Sequence, residues 1–510
     1  MNICNPFKND IFFKQKLIQT QNIMNTELSK LYPNKMWEIF ANICAIPHPS
    51  KHEEKILAWL KNWANEHQIE YEQDETGNMV LRKPATKGYE NRVPIIFQGH
   101  IDMVPQANSD STHNFVTDPI EPRICDDGWV RATDTTLGAD NGMGCAAAMA
   151  ILADKNMEHG PIELLITIDE ETGMTGAFGL KPGFLKGNIL INLDSEDEGE
   201  LYVGCAGGLD ANFELDYTMQ ATPADMKGYE IAITGLKGGH SGMDINLGRA
   251  NANKVLMRLL KKGLENFELY IAAINGGSLR NAIPREAFAT LAVPANKTAG
   301  FEQLMNGLIA AIAKEFSGTE PEFKVELKLV ETPKQVMGKK CQEKAVNLVL
   351  AIPNGAMRMS DSMPGLVETS TNLAIVKTDN GVLSIANLMR SSVESAKEAL
   401  ADKMRAIAEL AGARVELNGG YPGWKPNLES PILKTMLKVY ENMYGKTPEI
   451  KAIHAGLECG LFSLAYPDWD MISCGPTIRS PHSPDERVNI ESVGKFWDFL
   501  VETLKHTPVK

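Results

Sequence analysis

The chain has 510 residues, more than one ordinary hydrophobic core accommodates, so two or three domains are expected. Its 43% hydrophobic and 23% charged residues are those of a globular protein, and a net charge of −14 argues against nucleic acid or an anionic membrane as partner. The eight cysteines contain no C-x-x-C pair, which argues against a zinc knuckle or disulfide framework and for reduced thiols in the cytoplasm.

Residues 1–23 are polar and mixed, with Ile11-Phe12-Phe13 as an apolar cluster too short for a signal-peptide core. They read as an appendage, and Met24 offers an alternative start. No apolar run approaches the length of a spanning helix.

From residue 24 the pattern becomes regular. A helix is expected over 35–45, followed by the turn Ile46-Pro47-His48-Pro49-Ser50. Ser50 and Glu53 have capping-box spacing, and Ile56, Trp59, Leu60 and Trp63 recur at helical period behind them. Strands follow over 69–73, 79–82 and 93–97. The last delivers Gly99-His100-Ile101-Asp102. The small-residue helix 145–153 is opened by Gly138-Ala139-Asp140-Asn141-Gly142, and its small side chains allow close approach to a sheet. A strand over 162–168 ends in Asp169-Glu170-Glu171, and another over 189–193 ends in Asp194. This alternation indicates an α/β domain.

Beyond residue 207 the style changes. Strand 229–234, helix 250–264, strands 269–274 and 287–293, helix 301–316 and strand 323–330 follow the ferredoxin-like β-α-β-β-α-β order. A second, less complete version runs through helix 342–351, strands 369–376 and 382–389, helix 394–411 and strand 414–417. From Gly419 the α/β style returns, with a Ser430-capped helix to 443, a strand over 470–473 and a closing helix over 491–505. The expected organisation is a discontinuous catalytic domain (24–207 and 418–510) with a mixed, largely parallel sheet, interrupted by an inserted α+β lid domain of ferredoxin-like halves (208–417).

His100, Asp140, Glu170-Glu171, Asp194 and His482 recur at or near the ends of apolar runs. Histidines and carboxylates gathered at the carboxyl edge of a parallel sheet are the makings of a metal centre. Each also has an ordinary reading. His100 alone could be a hydrogen-bonded core residue, but Asp102 can accept the proton of its other ring nitrogen and so make it a better ligand. Asp140 could be a helix N-cap, or a carboxylate bridging two cations. Glu170 and Glu171 could be solvated, or one could ligate a metal while the other serves as a base. Asp194 could be a turn residue, and the run Glu196-Asp197-Glu198 reads as solvated. His482 lies in an irregular loop, where functional residues concentrate. His240, in Gly238-Gly239-His240-Ser241-Gly242, is a candidate for polarising a carbonyl, or a surface histidine.

Taken together, Ile46–Ser50, Gly99–Pro105, Thr136–Gly142, Glu170–Met174, Gly238–Gly242, Leu279–Phe288, His454–Gly460 and Pro481–Glu486 resemble the M20 family of metallopeptidases, and within it the branch that cleaves Xaa-His dipeptides. The resemblance covers residue 24 to the end. It implies two zinc ions, or manganese or cobalt in their place. One ion would be held by His100 and Asp194, the other by Glu171 and His482, with Asp140 bridging. Asp102 would orient His100, and Glu170 would be the general base. His240 would support the tetrahedral intermediate, and Asn281 and Arg390 would hold substrate, although Asn281 also reads as a turn former and Arg390 as a surface ion-pair partner. Gly423-Trp424 would shape the pocket. The implied activity is cytoplasmic hydrolysis of unblocked dipeptides, and a homodimer through the lid is compatible with it. Rival readings are an M20-type deacylase or carboxypeptidase, a peptide-binding protein without catalysis, and a purely structural role for the carboxylates.

Overall fold

A computed structural model describes residues 27–108 and 110–510; the appendage over 1–23 and Met24 lie outside the described residues. The chain divides into two compact units. The first gathers residues up to Gly204 with 427–452 and 461–510, and the second comprises 205–426 and 453–460.

The first unit contains an eight-stranded sheet in the order Glu70–Gln73, Met79–Lys83, Ile162–Thr167, Ile95–His100, Ile189–Asn192, Asp470–Ser473, Glu200–Cys205 and Glu449–Ile453. The central four run parallel, and antiparallel strands flank them. Those four are buried on both faces almost throughout, as a sheet covered by helices requires. The strand expected to stop at Phe97 continues through His100.

Helix Ala139–Ala153 lies against Ile95–His100. The closeness rests on absent side chains: a Cβ on Gly99 would stand 2.2 Å from Asn141 Oδ1, and one on Gly144 would stand 2.6 Å from the Leu193 carbonyl. Asn141 donates to that same carbonyl at 2.7 Å, joining the helix start to the strand that ends before Asp194. Beneath the strand ends, buried polar side chains form a transverse chain. Gln98 bonds Thr167, Asn192 bonds Gln98, and Ser473 bonds Asn192.

The expected capping box does not form. Helix Glu54–Glu66 follows Glu53 with no side-chain cap. Ser50 instead donates to Asp102 at 2.8 Å, and Glu53 accepts from the Lys51 and Asp169 amides. Ser50 is taken by a tertiary partner, and Glu53 is shared between a neighbouring amide and the distant Asp169.

The second unit carries a nine-stranded antiparallel sheet. Its first half has the order Lys324–Val330, Met226–Thr234, Ala287–Pro294, Tyr270–Gly276, the ferredoxin-like arrangement with helices Ala252–Asn266 and Thr298–Glu315. The second half is complete as well. Its first strand is Gly207–Asp216, which pairs with Val382–Ser391 on one side and Arg414–Tyr421 on the other. The first half is therefore inserted between the opening strand of the second half and its first helix, Lys339–Ala351. The two halves join edge to edge where Asn275 and Gly276 face Lys377 and Val376. One apolar cluster, including Ile231, Leu256, Phe301, Leu373, Ile385 and Met404, spans both. Gly412 ends helix Glu394–Ala411 in the left-handed conformation (φ 63°), as its position suggests.

Candidate metal centre

The central strands bring the predicted residues to one edge. His100 is the last residue of its strand, Glu170 and Glu171 follow Ile162–Thr167, Asp194 follows Ile189–Asn192, and His482 lies beyond Asp470–Ser473 in the turn between the short strands Ile478–Arg479 and Arg487–Asn489. Asp140 enters from the start of the small-residue helix. It is not the N-cap, which is Gly138, and its own backbone is non-helical (φ −83°, ψ 106°).

Asp140 faces both ways. Its Oδ1 lies 3.2 Å from His100 Nε2, which in turn lies 3.3 Å from Asp194 Oδ1. Its Oδ2 lies 3.4 Å from His482 Nε2, which lies 2.9 Å from Glu171 Oε2. Two groups, His100–Asp140–Asp194 and Asp140–Glu171–His482, each bring their donor atoms within 4.8 Å of one another and share the Asp140 carboxylate. His100, Glu170 and Glu171 form a third such group.

The electrostatics fit a cation. Burial opposes charge on His100, yet the carboxylates of Asp194, Asp102 and Asp140 outweigh it and raise its pKa well above the ordinary range. Hydrogen bonds from His482 to Asp140 and Glu171 push its pKa up to about 11. Asp140 is buried, but both imidazoles hold its carboxyl below the usual carboxylate range. Burial and the Asp140 charge raise Glu171, whose Oε1 is buried with no hydrogen-bond partner among the described residues. Converging carboxylates and imidazole nitrogens with an unused buried oxygen form a donor set that suits a divalent metal.

Asp102 braces the edge from behind. Its carboxylate accepts the Glu170 amide at 3.0 Å, the Glu171 amide at 3.3 Å and the Ser50 hydroxyl at 2.8 Å. His100 Nδ1 lies nearest the main-chain carbonyl of Asp102, at 3.0 Å, with the carboxylate at 3.5 Å. Asp102 thus fixes the imidazole chiefly through its backbone and the two glutamates through its side chain. Buried Asp169, left-handed at φ 51°, turns the chain into them and is bonded by Thr172 and Thr175.

The acidic run after Asp194 differs from expectation. Asp197 pairs with Arg479, and Glu198 accepts from Tyr440. Burial and the Asp140 and Asp194 charges push the Glu196 carboxyl up to about 8. This run is tied down rather than merely solvated.

Three predicted residues belong to the second unit. His240 Nδ1 accepts the Gly242 and Met243 amides at 3.2 and 3.1 Å, which leaves the ring proton on Nε2. Burial and the Arg390 charge lower its pKa and keep it neutral. Arg390 is only 6% exposed and donates to Ser241 and Tyr421, with no carboxylate partner among the described residues. It is therefore not a surface ion-pair residue. Asn281 is exposed in a turn, and its carbonyl accepts the Ser241 amide. Trp424 is buried and forms a backbone bridge to Cys205.

One supporting role is not apparent from the sequence: Ser50 has the spacing of a cap, yet its hydroxyl bonds the Asp102 carboxylate.

Comparison with known proteins supplies the lineage. The cytosol non-specific dipeptidase of Escherichia coli (strain K12) is 49% identical over 486 residues, covering 95% of this chain and 100% of that protein. The crystal structure of aminoacylhistidine dipeptidase from Vibrio alginolyticus superposes with a TM-score of 0.90 at 48% identity, covering 95% of this chain and 98% of that one. Aminopeptidase PepT from Bacillus cereus shares the fold, at TM-score 0.55 and 18% identity, over 94% of this chain and 99% of that one. The profile of peptidase family M20/M25/M40 matches residues 96–506. With relatives alike over almost their whole length and the profile spanning most of the sequence, the chain belongs to peptidase family M20/M25/M40.

Proposed function

We propose that this protein is a metal-dependent dipeptidase that hydrolyses unblocked dipeptides, Xaa-His substrates among them, in the cytoplasm. The observation that carries the reading is the shared Asp140 carboxylate, one oxygen toward His100 and Asp194 and the other toward His482 and Glu171. In this reading, Asp140 would be shared by two divalent ions, one also held by His100 and Asp194, the other by Glu171 and His482. Zinc suits the mixed nitrogen and carboxylate donors, and manganese or cobalt can substitute. Such a pair supplies an acidified water and a polarised substrate carbonyl.

The remaining steps fall to the chain. Glu170 takes the water proton and returns it to the leaving amine. Asp102 holds Glu170 and Glu171 by their amides, so the base and the ligand keep separate directions. His240 presents Nε2–H as a neutral donor to the developing oxyanion. Arg390, a buried cation with no carboxylate partner among the described residues, receives the free carboxylate of the substrate, and Asn281 also holds substrate. Residues 208–417 act as the lid, with 24–207 and 418–510 as the catalytic domain, residues 1–23 as an appendage, and a homodimer through the lid domain.

The test is a substrate panel with metal content measured on the same sample. Dipeptides should be cleaved in preference to N-acylated amino acids and tripeptides. Preference for acylated compounds would make the protein a deacylase, and absence of turnover with metal bound would leave only peptide binding.

A further inference from the structure

Glu486 is 2% exposed, and the roles above leave it unused. Its two oxygens accept four consecutive backbone amides. Oε2 takes Leu137 at 2.7 Å and Gly138 at 3.0 Å, and Oε1 takes Ala139 at 2.8 Å and Asp140 at 3.2 Å. An ionised carboxylate has about four lone-pair positions, and all of them are engaged here. The amides belong to the turn that opens helix Ala139–Ala153, where donors lack partners within the helix. Gly138 is left-handed at φ 69° and has no side chain with which to cap that helix.

The origin of the carboxylate matters more than the capping. Glu486 belongs to the same loop as His482, held in a tight turn by its own amide on the Ser483 carbonyl. The last amide it binds is that of Asp140. One side chain thus ties together the segments that carry two of the three members of the Asp140–Glu171–His482 group. The third member, Glu171, is held independently by its amide on Asp102.

We propose that Glu486 is a positioning residue that sets the separation of Asp140 from His482, and so the affinity of the Asp140–Glu171–His482 group for its ion. The inference rests on the two-ion reading above. His100 ends one strand and Asp194 lies just beyond the strand paired with it, so neither is held by this brace. Loss of Glu486 therefore weakens one ion far more than the other. Glutamine is a poor substitute, because its amide nitrogen would face backbone N–H donors. Aspartate keeps the charge but is one methylene too short to reach all four amides.

The experiment is zinc titration of metal-stripped full-length protein against a competing chelator, for wild type, Glu486→Gln and Glu486→Asp, with the melting temperature of each stripped protein alongside. Wild type should bind two ions. Glu486→Gln should bind the weaker ion about 10- to 100-fold less tightly, with the tighter ion little changed, while the mispaired buried amides lower the melting temperature of the stripped protein. If Glu486→Gln does not fold, the same split is expected of Glu486→Asp. Unchanged affinity for both ions overturns the inference. So does equal weakening of both, which would make Glu486 only a helix cap. A wild type that binds no zinc defeats the two-ion reading itself, which the wild-type titration alone reveals.

Discussion

At the residue scale, the two adjacent glutamates have distinct surroundings. Glu171 lies 2.9 Å from His482 Nε2 in one candidate ligand group, whereas Glu170 is the residue proposed as the base. Glu170→Ala should lower kcat by about 100- to 10,000-fold while leaving zinc content unchanged; loss of zinc on dialysis would mean the two roles are exchanged. His454 offers a test of electrostatics away from the ligands. Burial, with Arg390 and His240 nearby, lowers its pKa to about 3, and Nε2 bonds Ser370 at 2.7 Å. The unfolded chain takes up this proton near pH 6.5. The folded chain does not until about pH 3, so stability is lost as pH falls between those values. Carbon-13 histidine spectra, with only ten histidines to resolve, should show His454 still neutral at pH 5. A chemical shift midpoint near 6.5 would refute this. Residues of this kind were legible in the sequence where a strand end announced them, as with His100 and Asp194. Ser50 was misread because a local spacing rule cannot register that Asp102, far along the chain, competes for the same hydroxyl.

At the element scale, the approach of helix Ala139–Ala153 to strand Ile95–His100 is set by Gly99. A methyl there would meet Asn141 Oδ1 at 2.2 Å, and Asn141 is also the link to Leu193 beside Asp194. Gly99→Ala should destabilise the protein by about 1–3 kcal/mol and weaken metal binding, readable as a lower melting temperature and reduced zinc content in one preparation. Unaltered values for both would show that the helix can retreat without cost. The small-residue helix was legible in advance because its composition permits little else. The strand Gly207–Asp216 was not, since both its pairing partners lie beyond an entire inserted half. Its glycine-rich start also gives a weak strand signal. Periodicity reports what a segment is, and topology of this kind is carried by distant pairings.

At the scale of the whole molecule, the excess of 65 acidic over 51 basic residues is concentrated in its effect where burial prevents screening. With Asp140 12%, Asp194 8% and Glu171 4% exposed, removing a cation leaves mutual repulsion that water relieves poorly. Chelation should therefore lower the melting temperature, and zinc should restore it. A ligand at a thousandfold excess over its Kd contributes about 4 kcal/mol. A melting temperature indifferent to chelator would mean the carboxylates are balanced by the two imidazolium groups alone.

The nesting of the two ferredoxin-like halves also imposes a timetable on synthesis. Gly207–Asp216 leaves the ribosome early, yet neither Val382–Ser391 nor Arg414–Tyr421 exists until the intervening half has been made. At roughly 5–20 residues per second, that strand waits for seconds to tens of seconds with both edges unpaired, while the inserted half can already assemble. The nascent chain thus carries a sticky ribbon throughout the synthesis of residues 217–381, and a ribosome stalled within residues 331–381 would expose a natural target for chaperones.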